Sequence, residues 1–199
     1  MIDNSQHKES SFIYNYICKK NIECHKSIIE IGACDGVHLS NAKYFIDKNW
    51  EAYLVEPSNF YWNDLVENYK ENFKVTSFKN AIFHNNQNVR FFENKKSIDH
   101  SKISDKGYIV EGITYYELIK RTKLKDIGIV SIDTEGMDTP ILSQLLQHHI
   151  KPKFVIIESN VMSERRKQIN LINNHYDLIN VLNVNMIWVR KGLIRETQI

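Results

Sequence analysis

A chain of 199 residues, 42% hydrophobic and 25% charged, is long enough for one domain that buries its own core without disulfides or a structural metal. A formal net charge of only +2 gives no electrostatic footprint for nucleic acid or an anionic membrane, so neither is expected as a partner. Cys18, Cys24 and Cys34 lack zinc-ligand and redox spacing, the first ten residues lack a signal-peptide shape, and no apolar run approaches the ~20 residues of a membrane span, so a cytoplasmic location is expected and oligomeric state stays open.

Short apolar runs alternate with longer amphipathic stretches, the pattern of βα units around a parallel sheet. Residues 1–26 form a lead-in with a helix over 12–20. A buried strand over 27–31 ends in Gly32-Ala33-Cys34-Asp35-Gly36, and a helix over 38–49 follows. A second strand, 51–55, stops at Glu56-Pro57-Ser58. The next helix, 59–72, offers Phe60, Leu65 and Tyr69 to a core face. A third strand lies within 74–83. Over 84–112 the rhythm breaks. Residues 89–93 read as an extra strand, and the polar, aperiodic stretch 95–107 as a surface loop or lid. After a short helix at 115–122, a fourth strand over 128–132 delivers Asp133-Thr134-Glu135-Gly136. The helix beyond it runs to about 148, with Thr139 as N-cap and Pro140 in the first turn. A fifth strand, 154–157, ends at Glu158-Ser159-Asn160. A helix over 163–174 turns Glu164-Arg165-Arg166-Lys167 to solvent. Strands over 178–182 and 186–190 close the chain, with Val184-Asn185 near their turn. So short a connection forbids both from running parallel to their neighbours. The expected fold is α/β: one domain with a seven-stranded, mostly parallel sheet, one antiparallel strand and helices on both faces.

Four places carry candidate chemistry. At Gly32 and Gly36 a ligand can approach the backbone, and the helix beyond offers free N–H groups to an anion. Cys34 stands where a dinucleotide fingerprint has its second glycine, which disfavours a pyrophosphate. Glu30, inside an apolar strand, needs partners, either a ligand's amino group or a helix to cap. Glu56, at the end of the second strand, is placed to accept both hydroxyls of a ribose; the plain alternative is a solvent-facing charge. Asn80-Ala81 suits an adenine edge or an ordinary turn. Asp133, Glu135 and Asp138 cluster where ligands of open α/β sheets sit. A helix dipole accounts for Asp138 better than for Asp133. Repulsion between Asp133 and Glu135 would raise one pKa and make a base of it. His148-His149 sits at a helix end with no second ligand pair, so no metal is assigned there.

Together the stretches Glu30-Ile31-Gly32-Ala33-Cys34-Asp35-Gly36, Val55-Glu56-Pro57, Asn80-Ala81-Ile82 and Val130-Ser131-Ile132-Asp133-Thr134-Glu135-Gly136-Met137-Asp138 resemble the FkbM methyltransferase family, in its order and spacing over 27–160. The resemblance implies a class I, Rossmann-like methyltransferase fold and S-adenosylmethionine as methyl donor. It also implies, commonly, a hydroxyl acceptor on a sugar, glycan or natural product. Family roles then fall on Glu30, Gly32 and Gly36, with Ala33, Cys34 and Asp35 in the same turn, for the methionine part. They fall on Glu56, flanked by Pro57 and Ser58, for the ribose, and on Asn80 and Ala81 for adenine. Asp133 would lie near the sulfonium. The sequence departs from the family at Cys34, usually Asn or similar, and at Asp138, often Glu.

Asp133 or Glu135 is the expected catalytic group, orienting or deprotonating the acceptor hydroxyl. Asp133, Glu158 and Asn160 are also an oxygen set suited to Mg²⁺ or a similar hard ion. Region 84–112 is the expected acceptor-side loop, with Tyr108, Tyr115 and Tyr116 able to stack on a sugar or to join the core. Two competing functions stay open: a cofactor-binding module without turnover, and a nicotinamide-dependent oxidoreductase. The altered glycine turn and the antiparallel ending count against the second.

Overall fold

A computed structural model describes residues 2–94 and 101–193. Its main sheet has seven strands: β1 (Ser27–Ile31), β2 (Glu51–Val55), β3 (Val75–Phe78), β8 (Ile129–Ile132), β9 (Phe154–Glu158), β10 (Tyr176–Leu182) and β11 (Asn185–Arg190). Their spatial order is β10-β11-β9-β8-β1-β2-β3. β11 runs antiparallel to both β9 and β10, and the other pairings are parallel. One reversed strand follows from the two-residue turn between β10 and β11, as the short connection predicts.

The central strands are apolar because both of their faces are covered. Side chains alternate between two cores. Ile29, Ile31, Val130, Ile132, Val155 and Ile157 pack on one face. Against them lie α4 (Tyr115–Thr122) and α5 (Asp138–Gln147), through Leu118, Ile119, Leu142 and Leu145. Ile28, Ala52, Leu54, Ile129 and Ile156 pack on the other face. They meet α1 (Glu9–Lys20), α2 (Asn41–Ile46) and α3 (Asn59–Tyr69) through Ile13, Phe45 and Leu65. α4 buries Tyr115, Leu118, Ile119 and Thr122, the i, i+3, i+4, i+7 stripe that the sequence shows. α6 (Met162–Ile172) lies against α5.

Several expectations need correction. The helix expected over 38–49 spans only α2, because Leu39 and Asn49 take left-handed backbone angles at either side of it. The third strand is two. β3 stays in the main sheet, while β4 (Ala81–Ile82) joins a second sheet with β5 (Gln87–Phe92), β6 (Lys102–Ile103) and β7 (Tyr108–Ile113), in the order β4-β7-β5-β6. Region 84–112 is therefore largely a small β layer with its own core of Ala81, Val89, Phe91 and Val110. Part of the expected loop, 95–100, falls outside the described residues. Thr139 is not the N-cap of α5. Met137 holds that position, and the Thr139 hydroxyl donates to Glu164 at 3.0 Å. Arg165 is not simply a solvated charge: its guanidinium donates to the carbonyls of Ser159 and Asn183, both at 3.1 Å. Among the described residues no helix is long and apolar enough to cross a membrane.

Candidate active site

A cavity of about 430 Å³ opens along the carboxyl ends of the parallel strands. That volume lies within the ~300–1,000 Å³ of small-molecule sites. Its wall is built first by the turn after β1. Gly32 and Ala33 donate their N–H groups to the Val55 carbonyl at 3.0 and 3.1 Å, which ties this turn to β2. Gly32 has φ 92°, and a Cβ there would stand 1.7 Å from the Asp133 carbonyl oxygen. A missing side chain at Gly36 serves packing, since a Cβ would meet Leu65 and Tyr69 at 2.6 and 2.7 Å. Gly32 thus lets β1 and β8 close up, and Gly36 lets α3 settle. Asp35 is taken up locally, accepting from the N–H groups of Val37 and His38 at 2.9 and 2.8 Å.

Glu30 borders the cavity, and its carboxylate caps α2. It accepts from Ser40 Oγ at 2.6 Å and from the N–H groups of Asn41 and Ala42 at 2.6 and 3.3 Å. Burial pushes its carboxyl up to about 7 against these donors. Glu56 is likewise buried and pushed up to about 7, mainly by burial, with Glu93 adding repulsion. Its Oε2 accepts the Cys34 N–H at 2.8 Å and its Oε1 the Ser58 N–H at 2.7 Å. Each oxygen keeps acceptor capacity for a further donor, so the pair fits the two hydroxyls of a ribose. Burial first, then Glu56, Asp133, Glu30 and Asp35, push the Cys34 thiol well up, which keeps it protonated and inert.

Pro57 and Ala81 line the cavity; Ser58 does not. Its hydroxyl caps α3, accepting from Phe60 and Tyr61 N–H, and donates to Glu93. Asn80 lies on the wall, but its amide is engaged behind it. Nδ2 donates to the Glu111 side chain at 2.9 Å, and Oδ1 accepts from Arg121 at 3.4 Å. Of the three tyrosines, Tyr115 is fully buried in the core, so it cannot stack on a sugar. The Tyr108 hydroxyl donates to Glu93 and accepts the Asn59 N–H, while Tyr116 lies 5.4 Å from the His148 ring, centroid to centroid.

Carboxylate oxygens of Asp133, Glu135 and Glu158 lie within 4.8 Å of one another, and Asn160 borders the same cavity. Asp133 is reachable from the cavity yet strongly desolvated. That desolvation, followed by the charges of Glu158, Asp138 and Glu135, holds its carboxyl well above the usual range. Asp138 serves the turn, accepting from Thr134 N–H at 2.8 Å and Thr134 Oγ1 at 3.0 Å. Sequence reasoning missed Gln6 and His7, Tyr61, Phe91, Ile103 and the 183–185 turn, all of which line the cavity. Nothing local marks them; folding brings them in.

A seven-stranded sheet in this order, with β11 reversed and an acid at the end of β2, is the architecture of the Rossmann-like class I methyltransferases. The Methyltransferase FkbM domain family matches residues 30–185, and the chain belongs to that family of S-adenosylmethionine-dependent methyltransferases. Solved structures share the fold at low identity. The METTL16 methyltransferase domain has a TM-score of 0.53 at 10% identity, covering 92% of this chain and 66% of that one. A Klebsiella pneumoniae protein described provisionally as an O-methyltransferase has a TM-score of 0.51 at 11% identity, over 92% and 80%. The Methanococcus jannaschii fibrillarin, a pre-rRNA processing protein, has a TM-score of 0.51 at 9% identity, over 85% and 68%. No curated protein matches the chain in sequence. With an RNA-processing protein among the structural neighbours, the expected exclusion of nucleic acid gains no support.

Proposed function

We propose that this protein is an O-methyltransferase, cytoplasmic, moving a methyl group from S-adenosylmethionine to a hydroxyl of a sugar, glycan or other polyhydroxylated natural product. The observation that carries the reading is one continuous cavity with Glu56 at the end of β2 and the Asp133, Glu135 and Glu158 carboxylates at the ends of β8 and β9. Bound S-adenosylmethionine supplies an electrophilic methyl on a sulfonium whose departure as a thioether needs no acid. Glu56 accepts from the ribose hydroxyls. The Gly32–Gly36 turn would hold the methionine end, with Glu30 acting through the start of α2. Ala81, Pro57 and Phe91 form the adenine wall, and Asn80 braces it from behind. Three carboxylates this close cannot all ionise together. Asp133 or Glu135, whichever is ionised, would orient the acceptor hydroxyl and take its proton, the methyl group coming from the bound donor. The same cluster has the donor chemistry for a hard divalent cation, which is the second use it would support.

The test is calorimetry with S-adenosylhomocysteine against NAD, followed by transfer of labelled methyl to a panel of glycosides with mass-spectrometric detection. Binding of the first ligand alone, with transfer to a hydroxyl, is expected. Binding without transfer to any hydroxyl would leave a cofactor-binding module, and preference for NAD would overturn the assignment.

A further inference from the structure

The strand order divides the cavity. Toward the β3 edge lies Ala81, with Phe91 and Ile103 of the second sheet packed against it. Toward the β11 edge lie Glu158, Asn160 and the 183–185 turn. The nucleoside reading occupies the ends of β1 and β2 and the turn after β3. The remaining half, over β8, β9 and the β10–β11 turn, is left for the acceptor. Region 84–112 reaches the cavity through Phe91, Ser101 and Ile103, on the nucleoside side.

The acceptor half has an unforeseen wall, the segment before α1. Gln6 and His7 line the cavity there. The segment is held across the strand ends. Ser5 bridges to Leu39, and Asn4 Nδ2 donates to the Val37 carbonyl at 3.3 Å. Buried Asn185 donates from Nδ2 to Gln6 Oε1 at 3.1 Å and to Glu9 Oε1 at 2.6 Å, and Glu9 also accepts the His7 N–H at 2.9 Å. Asn183 Nδ2 stands 3.1 Å from His7 Nε2. Asn185 is register-paired with Glu158, so the segment is anchored one strand away from the carboxylate cluster. Around this wall stand the Glu158 carboxylate, the amides of Gln6, Asn160, Asn183 and Asn185 and the His7 imidazole, beside apolar Val184. Such a set pairs with hydroxyls and offers no flat apolar face for a planar aromatic acceptor.

We propose that Gln6 and His7 complete the acceptor subsite, as direct contacts to the hydroxyls of a sugar-like acceptor. This rests on the methyltransferase reading. The test uses full-length protein saturated with S-adenosylhomocysteine and methyl α-D-mannopyranoside as probe, read by saturation-transfer NMR, in wild type and in a Gln6→Ala, His7→Ala double variant. Wild type should bind the probe. The double variant should bind it about tenfold more weakly, the effect of losing two ordinary hydrogen bonds. Its affinity for S-adenosylhomocysteine should stay within about twofold, because separated sites act independently. No probe binding by cofactor-saturated wild type, or undiminished binding by the variant, overturns the proposal. Failure of wild type to bind S-adenosylhomocysteine at all strikes instead at the methyltransferase reading.

Discussion

Glu30 is the single charge in the fully buried strand β1, and its titration should be visible in the stability of the whole protein. Burial is the largest influence on it, and the Ser40, Asn41 and Ala42 donors reverse that only in part, leaving the carboxyl at about 7 against an ordinary 4.5. The folded state therefore holds this proton more tightly than the unfolded chain does. The resulting stabilisation is fully present below pH 4.5 and is lost as pH rises through about 7. The gap between the two values corresponds to about 3 kcal/mol, of which roughly 2–3 kcal/mol falls between pH 5 and 8. Glu56, also raised to about 7, adds a change of the same sign. Urea unfolding at the two pH values should show wild type more stable at the lower one, before other groups are counted. Glu30→Gln keeps the shape and one acceptor oxygen but cannot ionise, so it should shrink the pH-dependent difference by about 2–3 kcal/mol while Glu56's share remains. A Glu30→Gln variant with the pH dependence of wild type would refute the account of a buried, cap-forming carboxylate.

Glu56→Gln turns an amide NH₂ against one of the two N–H donors, Cys34 or Ser58, and removes the charge offered to the ribose. Calorimetry should show S-adenosylhomocysteine bound about 10–100-fold more weakly, as for lost charge-assisted hydrogen bonds, and unchanged affinity would remove Glu56 from that role. Gly32→Ala and Gly136→Ala both place a Cβ on a left-handed backbone, but only the first drives it into the Asp133 carbonyl. Thermal denaturation should show Gly136→Ala lowering Tm by about 2–4 °C and Gly32→Ala by about 6 °C or more; equal losses would show that the contact is not tight. Asp133→Asn should cut turnover about 100-fold with cofactor affinity nearly intact, and near-normal turnover would exclude Asp133 as the base. Methyl transfer should survive EDTA, and abolition restored by Mg²⁺ would assign the carboxylate cluster to a metal.

Some of this organisation was legible residue by residue. Ile28-Ile29, Ile129-Val130 and the 154–157 run announced central strands because strands covered on both faces must be apolar throughout. The second sheet was not legible beyond β5. β4 and β6 have two residues each, and β7 includes Gly112, too little for a period-two pattern to emerge. At the site, the sequence singled out Glu30, Glu56, Asn80 and Asp133 by type and position. It could not assign the partners of Glu30, which lie ten to twelve residues on, or the Glu111 and Arg121 contacts that claim the Asn80 amide.

The sequence by itself determined the order of βα units, one reversed strand in the final pair and the family, because these rest on local patterns of burial, turns and short motifs. Tertiary structure alone decided which groups face one another. It drew three carboxylates together, split 74–83 between two sheets, and laid Gln6 and His7 beside a turn some 176 residues away. The physical reason is that hydrogen-bond partnership and desolvation depend on distance in space, and packing sets that distance wherever the chain has folded back on itself.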